Sequence, residues 1–186
     1  MSEAVIFLVD GKMSEIVGRI KDRYALLEKI ESVIPGFRGY KEKEIRRESD
    51  RLVRDHVYSV LYEAKQYLRD ALVPVIEAER REFYPQLNRI IAKLDRLAEQ
   101  INHADYGYSG FFNAVKIKEP ELDLLIEYDY NLISLASDIR NVTLNLKQLA
   151  YRKDFNVFGE KLLELESKIA RLDEAVIGRE RIIRGV

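Results

Sequence analysis

The feature that most constrains this chain is the recurrence of apolar residues at three- and four-residue steps along nearly its whole length. Only nine glycines and four prolines occur among 186 residues, and they cluster, so long stretches of good helix formers run unbroken between them. That spacing predicts amphipathic helices. A first helix is expected over 13–34, with Ile16, Ile20, Tyr24, Leu27, Ile30 and Ile34 on one side, and Pro35-Gly36 stops it. Residues 1–12 are expected to form an N-terminal arm: Val5 to Val9 favour β structure, but no partner strand is evident.

From residue 41 the pattern is long. Ile45, Leu52, His56, Val60, Ala64, Tyr67, Ala71 and Val75 follow one stripe, flanked by Val53, Val57, Leu68 and Leu72, and the stripe resumes at Leu87, Ile90, Leu94, Leu97 and Ile101. Pro74 and Pro85 interrupt it, each removing a backbone donor. The surroundings of Pro74 are apolar and hold no Gly, Asn or Ser, and the stripe keeps phase across both prolines. This favours one helix over 41–102, kinked at 74 and 85 and roughly 90 Å long at the helical rise per residue. A hairpin near either proline is the alternative. A further helix is expected over 119–151, with Pro120 in its first turn and Leu122, Leu125, Asp129, Leu132, Ala136, Ile139, Val142, Leu146 and Leu149 facing inward. The last is expected over 157–181, where Phe158, Leu162, Leu165, Ile169, Leu172 and Val176 alternate by four and three in the manner of a coiled-coil seam. The short connection between these two makes them antiparallel neighbours. The expected fold is therefore a single all-α domain over 1–186, an elongated helical bundle with coiled-coil character and a long kinked central helix. No repeat of 20 to 50 residues is evident.

Composition narrows the chemistry. Lys and Arg total 31 against 32 Asp and Glu, a net charge of -1, which disfavours a nucleic-acid partner held by bulk electrostatics. With no cysteine, disulfides and thiolate chemistry are excluded, and two histidines leave little scope for zinc. The apolar run Ala4 to Val9 is too short for a signal peptide or a membrane span, and no later run reaches the length of a transmembrane segment, so a cytoplasmic protein is expected. Charged residues at 34%, with few thermolabile ones, resemble the composition of thermophile proteins.

No cofactor or metal pattern is legible. A di-iron bundle would need Glu-x-x-His pairs, which are absent; Glu99 four residues before His103 occurs once, at a helix end. His56 and Asp129 both fall on apolar stripes. An imidazole beside a buried carboxylate could act as a base or a pH-sensitive lock, but a polar pair that fixes helix register is the simpler expectation. The charged run 41–55 holds six basic and five acidic residues and reads as a solvated helix face, with a phosphate or RNA contact by Arg46, Arg47, Arg51 and Arg54 as the alternative. Two glycine-bearing loops are the strongest binding candidates: Phe37, Arg38 and Tyr40 in one, Tyr106, Tyr108, Phe111 and Phe112 in the other. The competing role for these aromatics is to cap the bundle ends. If 41–102 were one rod the two loops would lie at opposite ends; a hairpin would bring them together.

The stretches Pro35-Gly-Phe-Arg-Gly-Tyr-Lys-Glu-Lys-Glu44 and Ala104-Asp-Tyr-Gly-Tyr-Ser-Gly-Phe-Phe-Asn113 resemble motifs of a prokaryotic all-helical family. The resemblance implies a helical fold and carries no activity. The function expected from the residues is a non-enzymatic helical scaffold or protein-interaction module, either self-associating or bound to another protein. A nucleic-acid- or membrane-associated rod is the alternative, followed by an enzyme using the aromatic loops with His56 or His103.

Overall fold

The computed structural model describes residues 18, 20–40, 43–104 and 119–184, and among them every regular element is helical. A short helix α1 (20–33) is followed by the return 34–40. Four longer elements follow: α2 (Lys43–Glu77), α3 (Tyr84–Asn102), α4 (Glu119–Tyr151) and α5 (Phe155–Arg184), with a single 3-10 turn at Arg81–Phe83. The N-terminal arm expected over 1–12 lies outside the described residues. No helix among those described is long and apolar enough to cross a membrane.

Residues 41–102 are not one kinked helix. The chain reverses at 78–83, and α3 packs back along α2, so the long axis is set by the 35 residues of α2, about 50 Å. Pro74 sits inside α2 and Pro85 lies in the first turn of α3, where a missing N–H costs little. The turn itself is closed without glycine. Glu79 takes φ 55°, the left-handed region, and the Arg80 N–H donates to the Val75 carbonyl at 3.1 Å, closing a Schellman-type cap. The second reversal is its duplicate: Lys153 has φ 60°, and the Asp154 N–H reaches the Leu149 carbonyl at 3.0 Å. The second reversal falls at the short connection expected between the last two helices, whereas the first is hard to see in the sequence for this reason. In-phase stripes on either side of Pro74 arise equally from one kinked helix and from two helices facing the same core.

Left-handed geometry costs an L-residue about 1–2 kcal/mol, while glycine there loses only extra chain entropy. Glu79→Gly and Lys153→Gly are therefore each expected to raise stability by about 0.5–1 kcal/mol, read as a higher thermal midpoint. A lowered midpoint for either would show that these side chains contribute more than the strain they carry.

The two hairpins, α2–α3 and α4–α5, lie side by side with like helices parallel. On one seam, α2 presents Glu63 and Asp70 to Arg140 and Lys147 of α4, at 3.7 and 2.7 Å. On the other, α3 presents Arg89, Lys93 and Arg96 to Glu166 and Asp173 of α5, at 3.1, 3.6 and 3.3 Å. Gln86 and Gln100 extend that ladder to Glu166 and Glu180. Partners recur every seven residues, and Asp70–Lys147, Arg89–Glu166 and Arg96–Asp173 are all 77 positions apart. Exposed pairs of this kind contribute about 0–1 kcal/mol each, so their value is in register rather than in strength.

Between the seams lies one apolar core. It takes Val53, Val57, Leu61, Ala64, Leu68 and Val75 from α2, Leu87, Ile90, Leu94 and Leu97 from α3, Leu125, Leu132, Ile139 and Leu146 from α4, and Phe158, Leu162, Leu165, Ile169 and Leu172 from α5. Gly178 marks a close approach: a Cβ there would fall 2.5 Å from the ring of Tyr128, so α5 keeps bare backbone where that ring lies against it.

Candidate functional site

Apart from Lys65, which is buried against Asp95, the buried charged side chains among the described residues gather at the end of the bundle where α3 ends and α2 and α4 begin. Asp50, Arg54, Asp129 and Arg179 are all nearly inaccessible to solvent. Arg179 forks between two carboxylates, its Nε donating to Asp129 Oδ1 and its terminal nitrogen to Asp50 Oδ1, both at 2.6 Å. Arg54 Nε donates to the other Asp50 oxygen at 2.9 Å, and a terminal nitrogen of Arg54 reaches the Asn102 carbonyl at 3.0 Å. The Tyr40 hydroxyl donates to Asp129 Oδ2. Beside this network the Ser49 hydroxyl donates to the Gly39 carbonyl at 2.7 Å.

The elements explain the placement. Asp50 and Arg54 are one helical turn apart on the inward face of α2, Asp129 continues the apolar stripe of α4, and Arg179 continues that of α5. Tyr40 arrives from the return after α1, where Gly36 and Gly39, at φ 87° and 74°, allow the chain to double back. Four segments thus supply two carboxylates, two guanidiniums and a phenol, which balance in charge among the described residues, and the end of α3 adds the Asn102 carbonyl.

Its electrostatics are dominated by burial, which works against the charged forms of both Tyr40 and Asp129. Burial, with the Asp129 carboxylate beside it, holds the Tyr40 phenol well above the ordinary tyrosine range. Burial also raises the Asp129 carboxyl, against the opposing pull of Arg179 and the Tyr40 hydrogen bond. Tyr40 is kept protonated, and both Asp129 oxygens accept hydrogen bonds, Oδ1 from Arg179 and Oδ2 from Tyr40. Every buried side-chain polar atom among the described residues has a partner. The adjoining cavity, bordered by Val53, Val57, Ile101, Leu132 and Val176 with Arg54 and Arg179, measures about 10 Å³, room for roughly one water. No group of three or more His, Asp or Glu side chains among the described residues is arranged to hold a metal ion.

The residues singled out from sequence fare differently. Phe37 and Tyr40 are buried, their rings in edge contact with centroids 5.7 Å apart, so they seal the bundle end; Arg38 between them is exposed. Tyr106, Tyr108, Phe111 and Phe112 lie outside the described residues. Because α2 and α3 form a hairpin, the return 34–40 and the last residues before 105 stand at the same end of the bundle. Asp129 is buried as expected but is paired with Tyr40 and Arg179, and His56 is not its partner. His103 is exposed and pairs with Glu99 at 3.2 Å. In the charged run, Arg54 is buried in the network and Arg51 is paired with Glu48 at 3.1 Å, which leaves the basic face weaker than its composition suggests.

His56 is half-buried at the edge of α2, and burial together with the charge of Arg140 lowers its pKa from 6.5. The unfolded chain binds this proton more readily than the folded one, so stability from neutral His56 is present above pH 6.5 and is lost as pH falls toward the lowered folded value. His56→Gln is expected to flatten this acid-side decline in thermal midpoints measured between pH 7.5 and 5; an unchanged slope would show that other groups cause it.

Sequence reasoning missed Arg179, although a signal was present. The four-and-three seam 158, 162, 165, 169, 172, 176 continues to 179, and a basic residue there is buried by periodicity. No family model, curated protein or solved structure matches this chain.

Proposed function

We propose that the protein is a non-enzymatic helical scaffold that presents one end of its bundle to a protein partner, either a second copy or another chain. The observation that carries this is the buried network. It joins five segments of the chain at the end where Arg38 is exposed, where α3 stops at Asn102 and where α4 starts at Glu119. Satisfied, charge-neutral networks of this kind suit a rigid platform better than a reaction centre, because none of their groups is free to change partners during turnover. Loops mounted on such a platform can be ordered for recognition at low entropic cost.

The reading is tested by placing a photo-crosslinking residue at Arg38 and, separately, at Glu160 near the opposite end, in the full chain expressed in its native host. A discrete crosslinked partner is expected from position 38, absent from position 160, and lost when Tyr108→Ala and Phe111→Ala are combined. Equal labelling from both ends, or labelling that survives the double substitution, would overturn the assignment of this end as the binding surface.

A further inference from the structure

The return 34–40 and α1 are attached to the bundle unevenly. Within 20–33 only Ile30 is buried, with Leu26 and Leu27 partly so, while Ile20, Tyr24 and Val33 are exposed. A helix of this length is marginal without packing, so little in α1 itself holds it in place. Along α1 the polar contacts with α4 include the part-buried Arg23–Asp123 pair at 3.1 Å and the Lys29 ammonium over the Tyr130 ring at 5.2 Å. The strong attachments are concentrated at the C-terminal end: Ile34, Phe37 and Tyr40 are buried, the Gly39 carbonyl accepts from Ser49, and the Tyr40 hydroxyl donates to Asp129.

The charged part of the network closes without this segment. Arg179 and Arg54 still bind Asp129 and Asp50 when Tyr40 leaves, so both buried carboxylates keep a guanidinium partner. From this asymmetry we infer that residues 20–40 form a latched strap: a unit that opens and closes on the four-helix bundle as one piece, with the Tyr40–Asp129 hydrogen bond as its latch. Opening uncovers the α2–α4 face that it covers, where Gly36 lies against Leu52 and Lys29 against Tyr130. The strap is thereby a conformational device: that face is open only while residues 20–40 are released.

Hydrogen exchange of the intact protein, resolved by peptide, tests this. In the wild type, amides of 20–33 are expected to exchange well ahead of those in α3 and α5. Tyr40→Phe leaves a buried carboxylate oxygen without its donor and is expected to accelerate exchange across 20–40 about tenfold, with α3 and α5 unchanged. Phe37→Ala, which removes an apolar anchor and leaves the latch chemistry intact, should produce the same regional pattern. Acceleration spread equally over α3 and α5, no acceleration in 20–40, or failure of both variants to fold would each overturn the strap, because the segment would then be inseparable from the bundle or not held by this latch.

Discussion

Replacing Arg179 by methionine is expected to cost about 3–5 kcal/mol, the loss typical when one partner of a buried ion pair is removed. Against a total of about 5–15 kcal/mol for a domain, that removes between about a fifth and all of the stability. The cause is not the absence of a favourable contact alone. Arg179 is the donor shared by Asp129 and Asp50, both buried, and without it two carboxylates face the same interior with Arg54 alone, among the described residues, to offset them. Arg179→Lys is expected to recover only part of the loss, since a compact ammonium cannot reproduce the fork between two carboxylates. A combined Tyr40→Phe, Asp129→Leu, Arg179→Met variant removes one charge of each sign together with the phenol, and should regain most of the stability. The measurement is urea unfolding followed by circular dichroism; a cost below about 1 kcal/mol for Arg179→Met would equate the pair with a surface contact and remove the argument for a rigid end.

If the network can be replaced by apolar side chains without loss, its contribution is specificity. The seams point the same way. Hairpin α2–α3 carries an acidic edge (Glu63, Asp70) and a basic one (Arg89, Lys93, Arg96), and hairpin α4–α5 carries their complements. Two copies of the same hairpin paired in parallel would set like charges against each other, whereas the observed pairing satisfies both edges at one register. The buried cluster then fixes that register at one level along the bundle, because a shift of either hairpin by a turn would strand Asp129 or Asp50 away from Arg179.

How much of this was legible depended on which helix was being read. For α3 and α5 the apolar stripes named from sequence are the buried ones, Leu87 to Ile101 and Phe158 to Val176, because each helix is lined on one face only. On α2 the stripe is buried at Val60, Ala64, Ala71 and Val75, but its first part, through Leu52 and His56, is rotated by about one residue from the inward face there, which runs through Asp50, Val53, Arg54, Val57 and Leu61. The error has a physical origin. Two buried charges occupy the centre of that face, so a hydrophobic pattern is drawn to the neighbouring row, and His56 is carried into the core when it belongs at the edge. Asp50 and Arg54 were visible as an i, i+4 pair, but a surface pair and a buried pair have the same spacing. On α1, Ile20 and Tyr24 fit the stripe and are nevertheless exposed, since only the C-terminal end of that helix docks. The reversals at Glu79 and Lys153 left no glycine to find.

The second large effect is expected at the opposite end, where both reversals are sealed by phenylalanines. Phe158 is fully buried, with the Phe83 ring edge-on at 5.1 Å and the Phe155 ring edge-on at 6.1 Å. Phe83 and Phe155 stack at 6.2 Å, and the Arg80 guanidinium lies 4.8 Å from the Phe155 ring. Phe158→Ala is expected to cost about 3–5 kcal/mol, the transfer of a buried ring plus the cavity that rigid neighbours leave unfilled. Phe158→Leu should cost below about 1.5 kcal/mol, and Phe83→Ala less than Phe158→Ala because Phe83 is only partly buried. The cluster shares no partner with Arg179, so the costs of Phe158→Ala and Arg179→Met should add to within about 0.5 kcal/mol if the four long helices unfold as one cooperative unit. A double variant combined in the milder background of Phe158→Leu keeps that sum measurable. A shortfall from additivity well beyond this margin would mean that the two ends unfold separately, and a platform at one end would then have to be stable without the hairpin turns at the other.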